Sequence, residues 1–249
     1  MKISFKTLTY GRVPFLEEAL NSFLLQEDND AELVIVNDYP LQTLVFNHPQ
    51  VRIFNLKETF PLIGEKENFT IEQCKGDIIA TADDDDVFLP WHLKNIKKYW
   101  KENTNILHWA NGAYYNTPEI TKLCYVGNSG MVHSKKAWEA VGRSPQINAC
   151  GDYILRGKIH DLGSQYIINA HPPDEEVSWF YRWHMPQNGG VYHQSGQSFD
   201  TPDRPNIIQR HSLHIEKLRL RGLTPIGIVE LKPHWDLDYQ KILKDFIKK

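Results

Sequence analysis

Four consecutive aspartates, Asp83, Asp84, Asp85 and Asp86, follow the apolar run Ile78-Ile79-Ala80-Thr81-Ala82 and precede Val87-Phe88-Leu89-Pro90. Adjacent carboxylates repel one another, a cost that a cation or solvent must offset. Oxygen donors suit hard divalent ions, Mg²⁺ or Mn²⁺, held by one or two carboxylates together with substrate phosphates. An ion bound there would bridge a diphosphate and stabilise the charge that develops as it departs. A solvated acidic turn and a Ca²⁺-binding loop are the other readings of such a run. Its place at the end of a buried strand favours a ligand crevice.

Other polar clusters end apolar stretches in the same way. Thr9-Tyr10-Gly11-Arg12 closes the first and Asn37-Asp38 the second. Further on, Asp152 precedes a helical Ile154-Leu155-Arg156, where it is either a general base or a helix cap. Residues 177–198 are rich in Trp, Tyr, His and Gly, a composition suited to a loop that lines a site. That stretch contains Arg182, a candidate phosphate contact, and Trp183, which is either a sugar platform or a core residue. It also contains His193, an imidazole that suits Mn²⁺ better than Mg²⁺ and is otherwise an ordinary loop histidine.

The elements that must position these groups alternate. Residues 3–9 are strand-like, and residues 14–24 carry apolar positions at helical spacing with Pro14 in the first turn. Leu33-Val34-Ile35-Val36 is a continuous apolar run, as in a strand covered on both faces. Residues 51–54 form a third strand, 66–74 a helix and 78–82 a fourth strand. Strands alternating with helices predict an α/β fold built on a mostly parallel, doubly wound (Rossmann-like) sheet, with ligands at the carboxyl ends of the strands. Beyond it the pattern predicts helices over 90–102, 135–141 and 207–220, a strand over 106–109 and a final Lys-rich helix.

The segment Gly76-Asp77-Ile78-Ile79-Ala80-Thr81-Ala82 with its four aspartates resembles the central signature of family 2 glycosyltransferases of the GT-A fold. Thr9 to Arg12 resembles that family's first-strand motif, Ile35-Val36-Asn37-Asp38 its second, and Gly64 to Asn68 its helix before the aspartates. The resemblance implies nucleoside contacts at Thr9, Tyr10 and Asp38, and donor contacts at Arg12, Lys66, Asn68, Asp83, Asp84 and Arg182. It implies Asp85 as direct metal ligand, with Asp83 and Asp86 one register away, and His193 as a further ligand. Asp152 matches the acidic residue assigned as base. The chain departs from the family at Gly11, where Asn is usual, and at Glu67, where Arg commonly precedes Asn68; Lys66 is the candidate replacement cation. The implied activity is inverting transfer of a sugar from a nucleoside-diphosphate sugar, UDP first, to a hydroxyl on a glycan, lipid-linked, small-molecule or modified nucleic-acid-base acceptor. A retaining transferase on the same fold, a nucleotidyltransferase and a non-catalytic nucleotide-sugar-binding module are the rivals.

Composition agrees with one substantial unit. With 249 residues and a hydrophobic fraction of 41%, the chain can bury a real core. A net charge of −3 argues against a protein that coats phosphate backbones. No apolar run approaches the ~20 residues that span a bilayer, and no leader precedes the first strand, so a cytoplasmic location is expected. The three cysteines lack metal or disulfide spacing. The expected organisation is a GT-A domain over 1–205, with a nucleotide-binding half (1–102) and a smaller acceptor half (103–205), followed by a helical extension over 206–249.

Overall fold

A computed structural model of the chain describes residues 1–116, 119–125, 130–147, 151–182, 216, 219–220 and 222–249. The first hundred residues hold β1 (Ile3–Thr9), α1 (Val13–Leu24), β2 (Ala31–Asn37), β3 (Gln42–Val45), β4 (Val51–Asn55), α2 (Ile63–Gln73), β5 (Ile78–Thr81), β6 (Val87–Phe88) and α3 (His92–Tyr99). Then come β7 (Ile106–Trp109), β8 (Gly112–Asn116), β9 (Glu119–Cys124), β10 (Val132–Ser134), α4 (Lys135–Ala140), α5 (Gly151–His160), β11 (Ile167–Ala170) and β12 (Trp179–Arg182). Near the carboxyl terminus lie β13 (Gly227–Glu230) and a last helix, here α6 (Tyr239–Ile247).

Seven strands form the central sheet in the order β11-β7-β10-β5-β1-β2-β4. The contacts of β1 with β2 and β5, of β2 with β4 and of β7 with β11 are parallel, while β10 runs antiparallel to both neighbours. The mostly parallel sheet expected from the sequence is therefore present, with one reversed strand in it. Because side chains alternate across a strand, each face gathers its own core. Ile3, Phe5, Leu33, Ile35, Ile78 and Ala80 pack with α1 and α3. Val34 and Ile79 pack on the opposite face with Ile71 of α2, Trp138 of α4 and Leu155 and Ile159 of α5. Both faces are covered, which is why β2 reads as an unbroken apolar run.

A second sheet, β6-β12-β8-β9, stands over the aspartate end. Residues 179–182, expected within a site-lining loop, are its strand β12, with Trp179 and Phe180 both buried. The carboxy-terminal region also differs from a purely helical extension: β13 pairs in parallel with β3, Gly227 opposite Gln42 and Glu230 opposite Val45. Tyr239 and Leu243 of α6 pack with Phe180, Tyr115 and Val87. Most of the helix expected over 207–220 lies outside the described residues.

Candidate active site

The parallel strands β1, β2 and β5 end side by side, so Thr9, Asp38 and the aspartates come to one edge of the sheet. Past β5, the pairing runs one residue further, Ala82 N–H donating to the Lys6 carbonyl at 2.9 Å. The chain then turns, Asp86 N–H reaching the Asp83 carbonyl at 3.2 Å. This tight turn sends Asp86 one way and brings Asp84 and Asp85 together on another side.

Asp86 points inward. Its carboxylate accepts the Trp179 indole N–H at 2.9 Å and the Arg182 main-chain N–H at 3.1 Å. Burial, with the charges of Asp85 and Asp83, raises its proton affinity well above the usual carboxylate range. It ties the turn to β12. Asp84 and Asp85, also buried, both turn toward Arg12. The Arg12 Nε donates to Asp84 Oδ2 at 3.1 Å, one terminal nitrogen pairs with Asp84 Oδ1, and the other donates to Asp85 Oδ2 at 3.0 Å. Asp83 is only partly covered and lies in the field of Lys6.

The guanidinium shows what this pair of carboxylates can do: two buried acids from one turn converge on a single cation. A divalent ion fits the same donor set. Among the described residues no three acidic, histidine or cysteine side chains form a ready ligand group. Two carboxylates completed by phosphates and water are the usual arrangement for Mg²⁺ and related ions. His193 and Trp183 lie outside the described residues.

Arg12 is placed by the turn before it. Gly11 has φ +68°, a conformation that glycine enters freely and asparagine more easily than most residues. That accounts for glycine where the family resemblance has asparagine. Thr224 Oγ1 caps the same turn, donating to the Gly11 carbonyl at 2.7 Å. Tyr10 meets Tyr39 edge to face with ring centroids 5.0 Å apart, and Leu223 packs on this pair with Phe15. The carboxy-terminal segment therefore lies against the turn after β1 and the start of the segment after β2.

Lys66, expected near phosphate, is buried beside Asp38, with which it forms an ion pair; it also donates to the Thr9 carbonyl at 2.7 Å. Burial lowers its pKa, Asp38 opposes that, and the nearby Arg12 adds to the lowering. Asp38 Oδ2 accepts the Phe60 N–H at 3.0 Å, and the Asp38 carbonyl accepts Thr59 Oγ1 at 3.0 Å. Asp38 thus organises the loop after β4. Asn68 does not reach the aspartates: its amide oxygen accepts from Trp138 Nε1 (3.2 Å) and Ser144 N–H (2.9 Å), and its amide nitrogen donates to the Ser144 carbonyl (3.0 Å). This fastens α2 to the segment after α4. Gly64 serves the same junction, since a Cβ there would lie 1.8 Å from the Pro145 carbonyl oxygen.

Arg182, expected at phosphate, is instead buried behind the turn. It pairs with Glu18 of α1, donates to the Asp85 carbonyl, and donates to Tyr239 Oη at 3.2 Å. Its neighbour on β12, Tyr181, faces the other way. Burial and the charges of Asp86, Asp85 and Asp83 push its phenol pKa up, which places that hydroxyl in the aspartates' field. Period-two alternation in β12 separates the two roles, and recognising that segment as a strand was the missing signal.

Asp152 sits in the first turn of α5, where the Tyr153 main-chain N–H donates to its carboxylate. Burial raises its pKa, and the charge of Glu67 adds to the rise. Glu67 itself pairs with Lys6 at 2.6 Å, both residues being buried. Lys6 feels Asp83 and Glu67 feels Asp152, so this pair lies between the aspartate turn and α5. Position 67 is where the resemblance has arginine; here a lysine from β1 supplies the cation and Glu67 answers it.

A mostly parallel, doubly wound sheet whose strand ends gather Asp38 and an acidic turn is the fold of the GT-A class. The chain belongs to glycosyl transferase family 2, whose model matches residues 4–134, more than half of its length. It is 34% identical over 103 residues to the uncharacterized glycosyltransferase YwdF of Bacillus subtilis (strain 168), a match spanning 39% of this chain and 38% of that relative. In fold it is similar to residues 1–349 of S. aureus TarS in complex with UDP-GlcNAc (TM-score 0.60, 13% identity, 99% of this chain and 72% of that one). It is likewise similar to the mannosyltransferase PcManGT of Pyrobaculum calidifontis in complex with GDP-Man and Mn²⁺ (TM-score 0.56, 14% identity, 98% and 68%). No described helix is long and apolar enough to cross a membrane.

Proposed function

We propose that this chain transfers a sugar from a nucleoside-diphosphate sugar, UDP-linked first, to a hydroxyl acceptor, with inversion at the anomeric carbon. The observation that carries the reading is the convergence of Asp84 and Asp85 on one positive charge at the end of β5. Asp84 and Asp85 would hold a Mn²⁺ or Mg²⁺ ion, which when bound supplies electrostatic stabilisation of the departing diphosphate. Tyr10, only partly buried and backed by the buried Tyr39, would offer aromatic surface to the nucleoside, while Asp38 and Thr9 would close that end. The complexes of TarS with UDP-GlcNAc and of PcManGT with GDP-Man and Mn²⁺ support a nucleotide-sugar donor on this fold.

Asp152 is the proposed base. A carboxylate that holds its proton more tightly than usual is the better acceptor for an attacking hydroxyl's proton, because its pKa lies nearer the working pH. Inversion follows from a base on the face opposite the leaving group. The test is a thermal-shift panel of nucleoside diphosphates with and without Mn²⁺. UDP with Mn²⁺ should raise the melting temperature, since a ligand that binds only the native state stabilises it. If no nucleoside diphosphate shifts it under either condition, the reading is wrong.

A further inference from the structure

Arg12 engages the two carboxylates that the proposed metal needs. Three guanidinium N–H donors fall on Asp84 Oδ1, Asp84 Oδ2 and Asp85 Oδ2. Both oxygens of one acid and one of the other are therefore committed to a resident cation, whose side chain is only 12% exposed. Two carboxylates and one guanidinium leave a single negative charge. A divalent ion on the same pair would neutralise it and release a positive group beside the diphosphate. Guanidinium geometry matches phosphate oxygens as well as carboxylate oxygens. Backbone placement permits the exchange: Arg12 precedes α1 with φ −106° and ψ 55°, outside helical values, and follows the left-handed Gly11. Its side chain can change partners without unwinding a helix. Lys66, paired with Asp38, lies close enough to feel the charge of Arg12.

We infer that Arg12 is an internal counter-ion of Asp84 and Asp85, that it must leave them before they take a divalent ion, and that the nucleotide's diphosphate is its alternative partner. Metal and nucleotide then bind as a coupled pair. This rests on the nucleotide-sugar reading and adds to it a mechanism for coupling. Coupling of this kind is reciprocal: whatever factor UDP adds to Mn²⁺ affinity, Mn²⁺ adds to UDP affinity.

The experiment measures Mn²⁺ binding directly, from the electron paramagnetic resonance signal of free Mn²⁺, for the full chain and its Arg12→Met and Arg12→Lys variants, with and without UDP. Wild type should bind Mn²⁺ more tightly with UDP by about tenfold or more. Without UDP, Arg12→Met should bind Mn²⁺ about tenfold more tightly than wild type, because the competing cation is gone, and the factor that UDP adds should be smaller than in wild type, since only the phosphate ligation of the ion then remains. Arg12→Lys, a point charge that cannot fork across both acids, should fall between; it also serves if Arg12→Met does not fold. A folded Arg12→Met, or failing that Arg12→Lys, that binds Mn²⁺ no more tightly than wild type overturns the inference while leaving the nucleotide-sugar reading intact. Wild type that binds Mn²⁺ neither alone nor with UDP defeats that reading and this inference together.

Discussion

The Nε–H of Arg182 donates to the main-chain carbonyl of Asp85, across 97 positions of sequence. The guanidinium therefore steadies the aspartate turn from behind, and it is itself steadied by the carboxy-terminal helix. Tyr239 Oη donates to Glu18 Oε1 at 2.8 Å, and the other Glu18 oxygen pairs with Arg182. Residues 236–239 are thus part of the scaffold under the site.

Removing one partner of this network leaves a buried charge without compensation. Glu18→Ala should lower the unfolding free energy by about 3–5 kcal/mol, the usual range for a broken buried pair. Tyr239→Phe removes one neutral hydroxyl, a donor to Glu18 and an acceptor for Arg182, and should cost about 1–3 kcal/mol. Urea unfolding followed by far-UV circular dichroism measures both. A loss under about 1 kcal/mol for Glu18→Ala would mean the charges find solvent or another partner.

The Lys6–Glu67 pair makes a second prediction. Burial opposes charging Lys6, yet Glu67 and Asp83 together outweigh it and hold the lysine pKa above its usual value. Lys6→Met and Glu67→Met should each destabilise by about 3–5 kcal/mol, whereas the double substitution should cost clearly less than their sum. Glu67→Arg, which introduces the family's usual residue, puts two cations together and should be worse than either unless Lys6 is also replaced. A double-mutant cycle that comes out additive would show that the two residues do not depend on each other.

Much of this arrangement was legible in the sequence because it is local. The runs ending at Thr9, Asn37 and Thr81 are strands, and strand ends are where such sheets place ligands. Gly142, with φ +80°, stops α4 at the position its pattern suggests. What sequence does not reveal are the partners of buried polar groups. Lys6 is buried because both faces of β1 are covered, and its acid lies 61 positions away. Arg182 and Asn68 carry the residue types of phosphate ligands, yet they make buried hydrogen bonds that no spacing rule encodes. Pro225 and Gly227 punctuate the segment of β13, which becomes a strand only through its pairing with β3.

Buried histidines set an acid limit on stability. His92 and His133 are both fully buried, and burial lowers their pKa values to about 3 and about 4. In the unfolded chain they titrate near 6.5. Both states are neutral above that value, so the contribution is fully present there. Below it the unfolded chain takes protons that the native state refuses. Each histidine should therefore remove about 1.4 kcal/mol of stability per pH unit below 6.5, His133 until about pH 4 and His92 until about pH 3. Urea midpoints at pH 7 and pH 5 test the slope. Replacing His92 by Gln, which keeps a polar partner for the Ser178 hydroxyl 2.8 Å away, should flatten it.

Asp152 makes the prediction closest to chemistry. Its raised pKa comes first from burial, then from the charge of Glu67, with the Tyr153 N–H and Lys6 acting in the opposite direction. A base works only when deprotonated, so turnover should fall as pH drops through that raised value. The acid limb of the kcat profile should then lie above the usual aspartate range. Glu67→Gln removes one negative charge while keeping an acceptor for Lys6, and it should move the limb to lower pH. If another carboxylate, such as Asp84, set the limb, the same substitution would leave it in place. Asp152→Asn should reduce kcat by about 10²–10⁴, the usual worth of a positioned base, while leaving UDP affinity unchanged. An unaltered kcat in Asp152→Asn would remove this residue from the reaction and return it to the role of helix cap.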